Sequence, residues 1–197
     1  MARETMAALI TRLRRLVGDP AGASQHFADD ALQDWLDAHK RIVRYAALRP
    51  EPTPRPNSGL LDYLDYYSTL GDWEDGAQLV DQAWVPLTPA SSDPLVGHWT
   101  FSVSTLPPVL ITGAVYDLYG AAADACEAWA TELARAYDVQ SDQQLLRRSQ
   151  MRQGLLAQAA EYRAKAWAEC IPLSRPDVPA DFWGEGLPDW RSVAIDW

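Results

Sequence analysis

Prolines set the limits on what this chain can fold into, most sharply in its last 27 residues, Ile171 to Trp197. There Pro172, Pro176, Pro179 and Pro188, with Gly184 and Gly186, remove backbone donors and break any long helix. Phe182, Trp183, Trp190 and Trp197 share that stretch, and their rings are costly to leave in water. Residues 171–197 therefore read as an extended aromatic arm that docks on something, with Phe182, Trp183, Trp190, Ile195 and Trp197 as candidate partner contacts. The competing outcome is an arm folded back over its own core.

A second proline run, Pro50-Glu-Pro-Thr-Pro-Arg-Pro56, favours an extended, solvated conformation and marks a short boundary. Helical patterning lies on either side of it. Met6, Leu9, Ile10, Leu13, Leu16 and Val17 fall at helical spacing between Arg3 and Val17, and Gly18-Asp19-Pro20 stops the run. A second helix is predicted from Asp29 to Leu48. Asp29 or Asp30 supplies its cap, Asp30 and Gln33 resemble a capping box, and Leu32, Trp35, Leu36, His39, Ile42, Val43 and Ala46 form its buried stripe.

From Gly59 to Leu79 the pattern fits helix and strand equally. Between Trp84 and Thr112 the signals turn to β: Trp84–Thr88, Val96–Val103 and Val109–Thr112, separated by Pro, Ser, Asp and Gly. Trp99, Phe101 and Val103 alternate with His98, Thr100 and Ser102, which predicts a small antiparallel sheet or hairpin with one apolar face. So small a sheet must pack on helices or on another subunit, and Trp84, Trp99 and Phe101 are its candidate subunit contacts.

After Gly113, Val115, Leu118, Tyr119, Ala122, Cys126, Trp129, Leu133 and Tyr137 predict a helix about 33 Å long. Ser141-Asp-Gln-Gln144 then reads as a capping box opening a last helix to Glu169, with Leu145, Leu146, Leu155, Ala159, Tyr162 and Ala166 on its inner face. These two helices are expected to form the core hairpin. The resulting expectation is a mainly α (α+β) fold: a helical bundle over 1–170 with a β-rich insertion at about 59–112, followed by the arm.

Composition narrows the function. A formal net charge of −10 argues against wrapping nucleic acid, though not against DNA passing nearby. No apolar run approaches the roughly 20 residues needed to cross a bilayer, and no secretory signal is evident, so no membrane partner is expected. Cys126 and Cys170 are too few for a four-cysteine zinc site or a disulfide framework and read as free thiols. His26, His39 and His98 lie on different predicted elements. The acidic group Asp62, Asp65, Asp72, Glu74 and Asp75 lacks the spacing of a calcium loop. With no catalytic motif or phosphate-cradling loop, neither an enzyme nor a cofactor is expected.

Val109-Leu-Ile-Thr-Gly-Ala-Val-Tyr-Asp-Leu-Tyr-Gly-Ala-Ala-Ala-Asp124, Glu127-Ala-Trp-Ala130, Ala136-Tyr-Asp138 and Arg148-Ser-Gln150, in that order, are similar to the head–tail connector, or adaptor, proteins of tailed bacteriophages. Leu13-Arg-Arg-Leu-Val-Gly-Asp19 and Phe27-Ala-Asp-Asp-Ala-Leu-Gln33 resemble the opening of such proteins. The resemblance covers roughly residues 9–170 and rests on structural motifs. It implies a non-enzymatic virion protein, made in the host cytoplasm, that assembles as a ring, commonly of twelve copies, beneath the portal. Such a ring extends the DNA channel, with DNA only passing through the lumen, and offers a surface to the next neck or tail protein. The family often grips the portal with terminal segments, but no motif after Ile171 carries that over. The alternative class is a cytosolic enzyme or small-molecule-binding helical protein whose pocket the Trp-rich arm covers. A tail-completion protein is a third, weaker reading.

Overall fold

The computed structural model describes residues 2–55, 60–134, 139–141, 144–146 and 148–168. The chain divides into two units, Met1–Trp167 and Ala168–Trp197. Of the second only Ala168 is described, so the predicted arm and its contacts Phe182, Trp183, Trp190, Ile195 and Trp197 lie outside the described residues, as does Cys170.

A 3-10 turn at Glu4–Met6 leads into α1 (Ala7–Val17), whose stripe of Leu9, Ile10, Leu13 and Val17 is buried as the spacing predicts. Gly18 ends the helix in the left-handed conformation, φ 77°, which a residue without Cβ adopts at no steric cost. The second helix, α2, is shorter than predicted: it spans Asp29–Ala38. Its N-cap is Ala28 with no side-chain bond, because the Asp29 carboxylate is turned to Arg14 and Gln33 accepts from the Arg3 backbone N–H. Past His39 the chain becomes a strand, β1 (Lys40–Ala47), so Ile42, Val43 and Ala46 belong to a sheet and not to a helical stripe. Ile42-Val43 and Tyr45 suit a pleated surface better than a helix, and pairing with a distant strand settles the choice.

The proline run forms β2 (Arg49–Pro54) and lies in a sheet rather than in a solvated linker. It tolerates Pro50, Pro52 and Pro54 because β2 is an edge, where alternate N–H groups have no ladder partner. The ambiguous stretch contains β3 (Leu61–Tyr67) and β4 (Gln78–Val80). After these come β5 (Pro86–Leu87), β6 (Ser91–Asp93), β7 (His98–Thr100) and β8 (Leu110–Tyr116). These strands form two four-stranded antiparallel sheets, ordered β1-β8-β4-β5 and β2-β3-β7-β6.

Next, α3 spans Leu118–Leu133, roughly 24 Å by helical rise, shorter than predicted because Val115 and Tyr116 are spent in β8. Asp117 caps it, accepting from the backbone N–H groups of Tyr119 and Gly120. Ser141 and Gln144, predicted as a helix cap, lie instead in a short ribbon of β9 (Val139–Ser141) and β10 (Gln144–Leu146). The last helix, α4, is Arg148–Lys165. Arg163 near its end meets Asp124 and Glu127 in the middle of α3, and Trp167 just beyond it donates its N–H to Asp117 at the start of α3, so the two helices run antiparallel, as expected.

The expectation of a mainly helical bundle with a small β insertion is thus corrected to an α+β fold, in which four helices accompany two four-stranded antiparallel sheets among the described residues. The β region runs from Lys40 to Tyr116, and it carries a core of its own. One core joins α1, α2, α3 and Ala159 of α4 to Ala114 and Tyr116 of β8. The other gathers Leu48, Tyr66, Trp73, Leu79, Trp99, Phe101, Val109, Ile111 and Val115 from the sheets. Strand β8 serves both because successive side chains point to opposite faces.

Candidate functional site

Three features organise the chemistry of the described unit. The first is a clamp at the end of α1. Arg14 is buried, and its guanidinium donates to Asp19 Oδ2 at 2.7 Å, to the Phe27 carbonyl at 2.7 Å and to Asp29 Oδ1 at 2.7 Å. Asp19, also buried, accepts from the backbone N–H of His26 at 2.6 Å and of Phe27 at 3.0 Å. Every arm of this network is satisfied, as a buried charge requires. Beside it an apolar groove of about 350 Å³ is lined by Thr11, Arg14, Arg15, Gly18, Pro20 and Ala21.

Second, each histidine faces a carboxylate. His26 Nε2 lies 2.9 Å from Glu132 and its ring stacks on Trp129; His39 Nε2 lies 2.8 Å from Asp124; His98 Nε2 lies 3.0 Å from Asp65. The three pairs stay apart, as their separate elements predict. The acidic group read in the sequence is likewise dispersed. Asp62 pairs with Arg55, Asp65 with Thr100 and His98, and Asp72 with Arg12, while Glu74 accepts from Thr5, Arg3 and Tyr116. Among the described residues no set of three or more His, Cys, Asp or Glu side chains is grouped to hold a metal ion.

These partners bias the ionisation. The hydroxyl of Thr100 holds the Asp65 carboxyl below its usual range, with His98 assisting. Burial raises Asp72 despite the Arg12 charge. At Glu74 burial acts upward, but the hydrogen bonds from Tyr116 and Thr5 and the Arg3 charge outweigh it and leave the carboxyl lowered. Burial pushes the Cys126 thiol up to about 11, with Glu127 adding to the effect.

The third feature is an exposed aromatic pair. Of the candidate subunit contacts, Trp99 and Phe101 are buried in the chain's own sheet core, 2% and 5% exposed, with Trp99 edge-on to Trp73 and Phe101 edge-on to Tyr66. They offer no ring to a neighbour. Val103, the third residue of that predicted apolar face, is exposed. Trp84 is 58% exposed and meets Tyr45, 56% exposed, edge-to-face with centroids 4.9 Å apart.

Both residues have left-handed backbone, φ 52° at Tyr45 and φ 64° at Trp84, a conformation that costs roughly 1–2 kcal/mol for an L residue with a side chain. At Tyr45 a β-bulge between Val43 and Ala46 imposes it, and the Tyr45 N–H donates to Thr112 Oγ1 at 3.0 Å. At Trp84 the turn is held by Asp81, whose Oδ1 accepts from the N–H groups of Ala83 and Val85, both at 2.8 Å. Two strained positions thus converge to hold two large rings in solvent. The sequence marks Trp84 as a contact but hides Tyr45 inside a predicted helix; its one signal is the β-branched Ile42-Val43 before it.

Among the described residues no helix is long and apolar enough to cross a membrane. Comparison with protein-family models, with curated proteins and with solved structures finds no match.

Proposed function

We propose that this chain is a ring-forming structural subunit of a phage neck, a head–tail connector that sits beneath the portal, extends the DNA channel and presents a docking surface to the next neck or tail protein. The observation that carries the reading is the Arg14 clamp. The segments Leu13–Asp19 and Phe27–Gln33, each similar to the opening of connector proteins, form a single unit through Arg14, Asp19, Phe27 and Asp29. The segment Val109–Asp124 supplies the strand and helix against which that unit packs, through Ala114, Tyr116, Leu118 and Ala121 to Ala123. Motifs quoted from separate places in the sequence therefore support one packed element.

An interaction role also agrees with Tyr45 and Trp84, because strained backbone that exposes rings stabilises nothing within the unit and suits a partner surface. The formal net charge of −10 suits a channel through which DNA slides without sticking. In this reading the arm at 171–197 grips the portal or the adjacent subunit.

Electron microscopy and native mass spectrometry of the full chain mixed with a portal ring test the proposal. A closed ring of copies seated on the portal is the expected result. A chain that stays monomeric and ignores the portal overturns it.

A further inference from the structure

The Tyr45–Trp84 pair lies on a sheet face whose edge is open and basic. Strand β1 ends the order β1-β8-β4-β5, so among the described residues one side of its backbone has no strand beside it. Lys40, Arg41 and Arg44 along this strand are exposed, and none of them forms an ion pair among the described residues, in a chain whose formal net charge is −10. By contrast Arg3, Arg12, Arg14, Arg55 and Arg163 all do. Exposed Ile42 and Val85 extend the apolar surface around the two rings. A partner for this surface needs aromatic or aliphatic side chains together with carboxylates.

This chain itself carries such a segment. Residues 171–197 hold Phe182, Trp183, Trp190 and Trp197 with Asp177, Asp181, Glu185, Asp189 and Asp196, against only Arg175 and Arg191. Pro172, Pro176, Pro179 and Pro188 disfavour a long helix there and leave most backbone N–H groups in place for pairing.

The point of departure favours docking between copies. Trp167, the last residue of the first unit, packs among Val43, Ala46 and the sheet core, with the Arg41 guanidinium 4.8 Å from its ring centroid. Arg41 sits opposite Val115, on the face of β1 toward the sheet core, whereas Ile42 sits opposite Ala114 on the face toward the helices, and the bulge sets Tyr45 beside Thr112. Trp167 thus packs on one face of the sheet while the aromatic pair occupies the opposite one. A contact joining two different surfaces of identical copies is head-to-tail, the class that closes into rings. Fully extended, the 27 residues of 171–197 reach at most about 90 Å, several times the ~15 Å radius of gyration of a unit this size.

We propose that the acidic, aromatic segment 171–197 of one copy docks on the Tyr45–Trp84 face and the basic β1 edge of the next copy. The proposal rests on the ring reading above and names the partner of the arm within it.

A fluorescein-labelled peptide of residues 171–197, titrated into the full chain at a dilution where the chain does not self-associate and read by anisotropy, tests this directly. Saturable binding is expected, weaker at high salt and absent for a scrambled peptide. Trp84→Gly, which accepts the positive φ, and Arg44→Glu are each expected to weaken it about tenfold or more while the thermal melt confirms folding. No binding to the native chain, or equal binding to both variants, overturns the proposal. A peptide that binds an isolated portal ring and not this chain also overturns it while leaving the ring reading standing. Binding to this chain with no assembly on the portal sinks the ring reading and keeps the contact.

Discussion

Asp19 illustrates how one carboxylate organises a loop: it neutralises buried Arg14 and accepts two backbone N–H groups that no helix or strand would satisfy. Asp19→Ala removes the buried partner of Arg14 and two backbone acceptor bonds, leaving only the more exposed Asp29 to face the guanidinium, so urea denaturation is expected to show a loss of about 3 kcal/mol. At Cys126 the raised thiol implies slow chemistry. In a Cys170→Ser chain the remaining thiol is expected to react with a disulfide reagent at about pH 8 only after unfolding, and fast labelling of the native chain contradicts its burial. Glu74 carries a pH signature. Its carboxyl is lowered in the folded chain, so the stability it contributes is complete above the ordinary 4.5 and is lost as pH falls through the folded value. Glu74→Gln is therefore expected to be less stable at neutral pH and to lose less on acidification, read from chemical melts at about pH 7 and about pH 3. None of these partners is visible in the sequence: Glu74 meets Thr5 and Tyr116 only because the N-terminal segment crosses the end of β8.

At the scale of elements, the sequence locates helices better than it ends them. The spacing of α1 and the core of α3 are legible because a 3.6-residue period is a local property. The switch from α2 to β1 is not, since Leu32 to Ala46 keeps helical spacing past the point where pairing with β8 takes over. Gly120 on α3 marks a contact at that junction. A Cβ there would sit 2.6 Å from His39 Nδ1, and the His39 ring is tied to Asp124 at 2.8 Å. Gly120→Ala is expected to destabilise by about 1–3 kcal/mol despite the better helix propensity of alanine, as measured by thermal or urea melts. A stabilised variant would mean that the ring moves aside freely. The prolines of β2 teach a related lesson: they exclude helix, but only the position of β2 at a sheet edge makes them compatible with a strand.

At the scale of the whole molecule, β8 joins a helical core on one face to a sheet core on the other within Met1–Trp167. Under the proposed ring, Trp84→Gly separates assembly from folding. It removes an exposed ring and a left-handed strain, so the isolated chain is expected to keep its stability within about 1 kcal/mol while sedimentation shows weaker self-association. Trp99→Ala, by contrast, hollows the sheet core and is expected to cost about 3–5 kcal/mol in the same melts. Trp84 and Trp99 look alike in the sequence as aromatic residues of a β-rich region. Their fates diverge because Trp99 lies in the middle of β7, opposite Tyr66, while Trp84 tops a turn held outward by Asp81.

Sequence alone determined the helical stripe of α1, the β-rich character of the region after Trp84 and the net acidic charge, because each follows from local spacing or composition. Tertiary structure alone decided that β1 is a strand, that the β region builds two sheets with their own core, that Arg14 and Asp19 close one clamp and that Tyr45 stands beside Trp84. Those outcomes depend on residues far apart in the chain, whose pairing energy outweighs local preference and leaves no mark on the local pattern.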